Sequence, residues 1–220
     1  VVDRDTDHPL ALESGLIIVD AYRQQERFTL AKQLLHTLLR RRLDASGRAH
    51  VQLRLGAIAL DQGNAAQAQT GYLLAAGSED PAIRQAALSG LGDIQIFLGD
   101  LDAARRFYED AVTRAEGTPL SMLATYQLGR IQLQRQQFDE AAEIFRRLVE
   151  HAAAGLADDA RLALALVYFN QDDPLAAQTQ LNIIRQRRPG SVIAARAGYY
   201  LALVMLEQGH EEAAERFCRE

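Results

Sequence analysis

The sequence predicts an all-α fold, an α-solenoid built from antiparallel helix pairs. Three observations predict it. A pattern of 36 or 37 residues recurs along the chain, with a sixth, incomplete copy at the end. Each copy carries two stretches with apolar residues at helical spacing, joined by a short turn. The composition is that of a globular chain, 48% hydrophobic and 24% charged over 220 residues, which supplies a core and argues against disorder.

Small residues set the register. "DLDAARRFYEDA" (Asp100 to Ala111) matches "QFDEAAEIFRRL" (Gln137 to Leu148), and the frame returns in every copy. Its anchors are Ala31, Ala68, Ala104, Ala141, Ala177 and Ala214. Twelve residues before each stands another compact residue: Val19, Gly56, Gly92, Gly129, Ala165 and Ala202. Antiparallel helices approach closely only where side chains are small, so these two sets are expected to meet at the crossings. Four residues after each anchor comes a larger residue on the same helix face: Leu35, Tyr72, Tyr108, Phe145, Leu181 and Cys218. Three further on, Leu38, Ala75, Ala111, Leu148 and Ile184 are expected to face the next unit.

The elements follow in order. The periodicity predicts helix pairs at 10–24 with 28–42, 49–62 with 65–77, and 81–98 with 101–116. It continues with 119–135 and 138–153, 157–170 and 174–187, then 190–208 and 211–220. Gly63, Gly99, Asp172 and Gly209 mark turns, while Pro119 and Pro174 suit first-turn positions. Arginines gather near second-helix C-termini: Arg40 to Arg42, Arg114, Arg146, Arg147, Arg185, Arg187 and Arg188. The helix dipole favours cations there, which accounts for them without a nucleic-acid surface.

Leu91-Gly92, Ala104, Tyr108 and Ala111, then Leu128-Gly129, Phe138, Ala141 and Phe145, together with Pro189, resemble the tetratricopeptide repeat. The chain departs from that pattern at the early Trp position, held by Gly15, Gln52, Leu88, Thr125, Arg161 and Gly198. The resemblance implies a right-handed superhelix, a single solenoid with units at about 12–48, 49–84, 85–121, 122–157, 158–194 and 195–220. It also implies a concave groove, lined by the first helix of each unit, that binds a peptide or helix of a partner protein or of a missing region of the chain itself. Inward positions read off the units are Leu53, Arg54 and Ala57; Ser89, Gly90 and Asp93; Tyr126, Gln127 and Arg130. Leu162, Ala163, Leu166 and Phe169 follow, then Arg196, Tyr199, Tyr200 and Leu203. From these the expected groove residues are Arg54, Asp93, Tyr126, Gln127, Arg130, Phe169, Arg196, Tyr199 and Tyr200. The Lys and Asn clamp by which some members of the family hold a partner's terminal carboxylates is not matched, since Ser89, Asp93, Tyr126 and Arg130 stand there.

The alternative expectation is homo-oligomeric assembly through an apolar strip of Leu162, Leu166, Phe169 and Leu203, as a module of a bacterial secretion, polymer-export or sensor-regulator system. Lys32 is the only lysine among many arginines and alanines, which points to a GC-rich bacterial genome. Val1 to Asp3 carries no initiator Met and the chain stops inside a helical pattern, so a fragment of a longer protein is expected, its compartment cytoplasmic or periplasmic.

The sequence points to no catalytic residue, metal site or cofactor. The net charge of −5 argues against a nucleic-acid partner. No apolar run reaches the ~20 residues of a membrane span. One cysteine excludes an internal disulfide, and its place in the large-apolar slot suggests a buried thiol. Asp3 to Asp7 begins like a calcium loop but continues into His8 where glycine is required. His210-Glu211 lacks the second His of a zinc-protease helix, since Ala214 stands there. Gly90 and Gly92 lack a third glycine and a preceding strand. The five histidines lie in different units, so no triad forms from spacing.

Overall fold

Six hairpins arise from one turn used repeatedly. The computed structural model describes residues 9–113 and 117–219, with side chains at 11–113 and 117–217. Asp3 to His8, Arg114 and the Cys218 side chain lie outside the described residues. The described residues form twelve helices and no strand. These are α1 (Pro9–Gln24), α2 (Phe28–Leu39), α3 (Ala45–Asp61), α4 (Ala65–Ala76), α5 (Pro81–Leu98) and α6 (Leu101–Thr113). Then come α7 (Pro119–Gln134), α8 (Phe138–His151), α9 (Ala154–Asn170), α10 (Pro174–Arg187), α11 (Val192–Glu207) and α12 (Glu211–Arg219). They fall into two compact units, Val1–Ser121 and Met122–Glu220. Within each, helices pair antiparallel with their chain neighbours, and first helices lie beside one another: α1, α3 and α5 in the first unit, α9 and α11 in the second.

Each hairpin turn has the same geometry. Glu26, Gly63, Gly99, Gln136, Asp172 and Gly209 all take positive φ, between 57° and 80°, and each stands five residues before its anchoring alanine. The next residue's N–H reaches back five residues to the helix, as Asn64 N to the Ala59 carbonyl and Gln137 N to the Gln132 carbonyl, both 2.9 Å. This is the Schellman ending, which satisfies orphan carbonyls and favours glycine at the left-handed position. In three turns the following residue also caps the second helix: Asn64 accepts from Gln67 N, Asp100 from Ala103 N and Asp173 from Ala176 N. Glu26 and Gln136 escape a composition-based turn reading because neither is a turn former. Gln136→Gly is expected to stabilise the chain by about 0.5–1 kcal/mol, because the left-handed penalty of a residue with a Cβ exceeds the entropy glycine loses. A rise in melting temperature of the single variant over wild type, by circular dichroism, checks this.

Helix limits shift where capping overrides periodicity. α2 ends at Leu39 rather than 42, and α3 begins at Ala45 rather than 49. Asp44 is the cause: its carboxylate accepts from Gly47 N at 2.7 Å and starts the helix a turn early.

The anchoring alanines are all buried, as are Leu38, Ala75, Ala111, Leu148 and Ile184. The crossings differ from expectation in one respect. What lies closest over the first-helix glycines is not the alanine but the large residue four positions later. A Cβ at Gly92 would stand 2.7 Å from Tyr108 Cε1, and one at Gly129 2.7 Å from Phe145 Cε1. One at Gly56 would stand 3.0 Å from Tyr72 Cδ1. Tyr72 is covered on its other side by Gly90, whose Cβ would fall 2.6 Å from Cε1. The ring is thereby held between α3 and α5.

That confinement has a pH consequence. Burial first, then the charge of Asp93, pushes the Tyr72 phenol from its ordinary 10.0 up to about 12. Its neutral form is favoured in the folded chain, so this contribution is complete below pH 10 and disappears as pH rises through about 12. Stability should fall more steeply between pH 9 and 11.5 in wild type than in Tyr72→Phe, read from urea midpoints at the two pH values.

Candidate functional site

The first helices carry the residues read as inward-facing. In the first unit the charged ones among these side chains already have partners. Arg54 on α3 holds Asp20 on α1 through both carboxylate oxygens, with Nη2 to Oδ2 at 2.8 Å and Nε to Oδ1 at 3.1 Å. One turn further on, Arg23 of α1 grips Asp61 of α3, with Nη2 to Oδ1 at 3.0 Å, and that hydrogen bond raises the Arg23 pKa against the opposing effect of burial. Asp93 accepts from the Tyr108 hydroxyl at 2.6 Å. Arg54 and Asp93 thus brace the first-helix face from inside. Gly90 makes room for Tyr72.

The second unit brings together groups with unspent capacity. Tyr126 on α7 is half-buried, its ring tilted at 58° against Phe145 with centroids 5.7 Å apart. One turn on, exposed Arg130 donates from Nη1 to Gln127 Oε1 at 2.9 Å and meets no carboxylate among the described residues. Arg196 at the start of α11 lies 3.8 Å from Asp159 on α9, and both side chains remain about half exposed. Burial raises the Tyr126 pKa; Asp159 adds to the rise, while Arg130 and Arg196 oppose it. The phenol therefore senses charges carried by α7, α9 and α11. Asp159 was absent from the groove residues expected from sequence. Its signal was available, since it precedes Arg196 by one repeat of 37 residues.

Further along α9 and α11 lies an almost wholly apolar hollow of about 60 Å³. Leu166, Phe169, Tyr200 and Leu203 form its sides, and Leu181 of α10 also lines it. Tyr200 packs against the core while exposed Tyr199 meets it edge-on, with centroids 5.4 Å apart. Leu162, expected in an exposed apolar strip, is instead buried at 3% exposure in the core between α9, α10 and α11. It packs there with Leu181, Ile184, Leu201 and Val204.

Among the described residues no group of three or more His, Cys, Asp and Glu could hold a metal. No described helix is long and apolar enough to cross a membrane.

Comparison with known proteins gives one consistent picture. A tetratricopeptide repeat model matches residues 18–82 and 89–160, and a second tetratricopeptide repeat model matches 195–220. No curated protein sequence matches significantly. Solved structures match in fold. MamA from residue 41 to its end, from Desulfovibrio magneticus RS-1, is 18% identical with TM-score 0.61 over 78% of this chain and 92% of that one. PilF of Pseudomonas aeruginosa is 16% identical with TM-score 0.74 over 94% of this chain and 88% of that one. The tetratricopeptide repeat sensor protein PH0952 from Pyrococcus horikoshii, a signal transduction ATPase with numerous domains, is also 16% identical. Its TM-score is 0.76 over 94% of this chain but only 36% of that one.

Proposed function

Because the chain belongs to the tetratricopeptide repeat family, a family of protein-interaction scaffolds, we propose that it holds a peptide or helix of a partner protein against its first helices. Tyr126, Gln127, Arg130, Phe169, Arg196, Tyr199 and Tyr200 are the contacts. Arg54 and Asp93 keep the frame of the face. The reading rests on one observation: half-buried Tyr126 and exposed Arg130 stand one turn apart on α7, and Arg196 of α11 meets Asp159 of α9 only at 3.8 Å, so these groups remain open to solvent. Tyrosine and arginine are effective anchors because rigid amphipathic area and forked donors lose little entropy on docking.

The double variant Tyr126→Ala with Arg130→Ala tests it. Helical circular dichroism is expected to stay close to wild type, while recovery of cross-linked partner drops at least tenfold. Undiminished recovery from a folded double variant would refute the proposal.

A further inference from the structure

The peptide-binding reading leaves open what chemistry the second unit selects, and the side chains present there narrow it. The chain as a whole carries −5, yet Arg130 on α7 is exposed and bonded to an amide, and Arg196 on α11 faces the single carboxylate of Asp159, so two guanidinium groups stand against one carboxylate. Arg130 has no carboxylate partner among the described residues, and the 3.8 Å separation leaves Arg196 only loosely engaged. A local surplus of positive charge on an acidic protein favours an acidic visitor. An arginine offers such a carboxylate two parallel donors.

The hollow supplies the second half. At about 60 Å³ it is a small hollow, suited to a compact aliphatic side chain such as leucine or isoleucine. Its lining offers almost no polar surface, so a charged or amide side chain seated there would lose its hydration without replacement. Asp159 and Leu166 are seven residues apart on α9, as are Arg196 and Leu203 on α11. At 1.5 Å per residue the two subsites stand roughly 10 Å apart along these helices. An extended segment advances about 3.3 Å per residue and spans that distance in three.

We propose that the second unit selects an extended peptide carrying Asp or Glu three residues from Leu or Ile, the acid against Arg130 and Arg196 and the aliphatic side chain in the Leu166–Phe169–Tyr200–Leu203 hollow. This rests on the peptide-binding reading above and gives it a ligand chemistry. Arg130 and Arg196 read charge; the hollow reads shape.

A random 12-residue peptide library displayed on phage and panned on the 220-residue chain tests both parts. The expected winners share an acidic residue and a Leu or Ile three positions apart. Synthetic copies should bind at least tenfold more weakly to Arg130→Glu with Arg196→Glu, and the loss should reverse when the peptide's acid is replaced by lysine. Leu203→Trp, which fills the hollow, should cost a further tenfold for the Leu peptide. Should that variant misfold, replacing the peptide's Leu by Ala against the wild-type chain reads the same subsite. Winners that lose affinity in Tyr126→Ala but carry no acid–aliphatic pair would overturn this inference and leave the peptide-binding reading standing. Failure of any peptide to be enriched, or enrichment insensitive to Tyr126, Arg130, Arg196 and Leu203, would overturn both.

Discussion

Gly71→Leu is expected to cost about 3 kcal/mol or more, beyond the ordinary overpacking range. Gly71 lies where α4 crosses α3 with backbone against backbone. A Cβ there would sit 2.8 Å from Gly56 N and 2.9 Å from both Gln52 O and Gly56 Cα. A side-chain neighbour can rotate away, but these atoms move only if the whole of α3 moves. Hydrogen exchange gives the local readout: amides of α3 and α4 should exchange about a hundredfold faster, while those of α9 and α10 hold their protection. Gly155→Leu is the control, because nothing lies within 4 Å of its Cβ position. It should be neutral or slightly stabilising, glycine being a poor helix former. Wild-type protection of α3 and α4 in Gly71→Leu would show that the crossing tolerates separation.

The second large effect is expected at Tyr108. It is 1% exposed, its ring covers Gly92 and its hydroxyl donates to Asp93. Tyr108→Ala should cost about 3–5 kcal/mol, the range for emptying an aromatic site in a packed core. The informative comparison is with Gly92. Gly92→Ala alone drives a methyl against the ring and should destabilise, whereas Gly92→Ala with Tyr108→Leu should recover much of that loss. The chain already uses that pairing, with Ala165 and Leu181 in the same two repeat positions and both buried. Urea midpoints of the four proteins in this cycle measure the coupling. Additive losses would mean that ring and glycine do not share one space.

That pairing shows how far the sequence reaches. Gly56, Gly92 and Gly129 come with Tyr72, Tyr108 and Phe145, while Val19 and Ala165 come with Leu35 and Leu181. A small partner accompanies a ring and a larger one accompanies an aliphatic, so volume is conserved at each crossing. The period, the helix pairs and these sixteen-residue spacings were all legible, because they depend on contacts within one hairpin. Glu26 and Gln136 were not legible as turn residues, since their left-handed conformation is imposed by the helices on either side.

By itself the sequence determined the fold class, the repeat, the anchoring alanines and which side chains lie on the first helices. Those features follow from local periodicity and from volumes met within about 20 residues. Only the tertiary structure decided which of those side chains remain available. Arg54 and Asp20 are 34 residues apart and neutralise each other, whereas Arg130, among the described residues, is bonded to Gln127 and to no carboxylate. Arg161, at the position where the family carries Trp, is buried, and among the described residues neither Nε nor Nη1 finds an acceptor. Charge pairing between helices depends on side-chain reach across units, and a difference of a few ångströms separates a closed ion pair from an open donor. Sequence spacing does not resolve that difference.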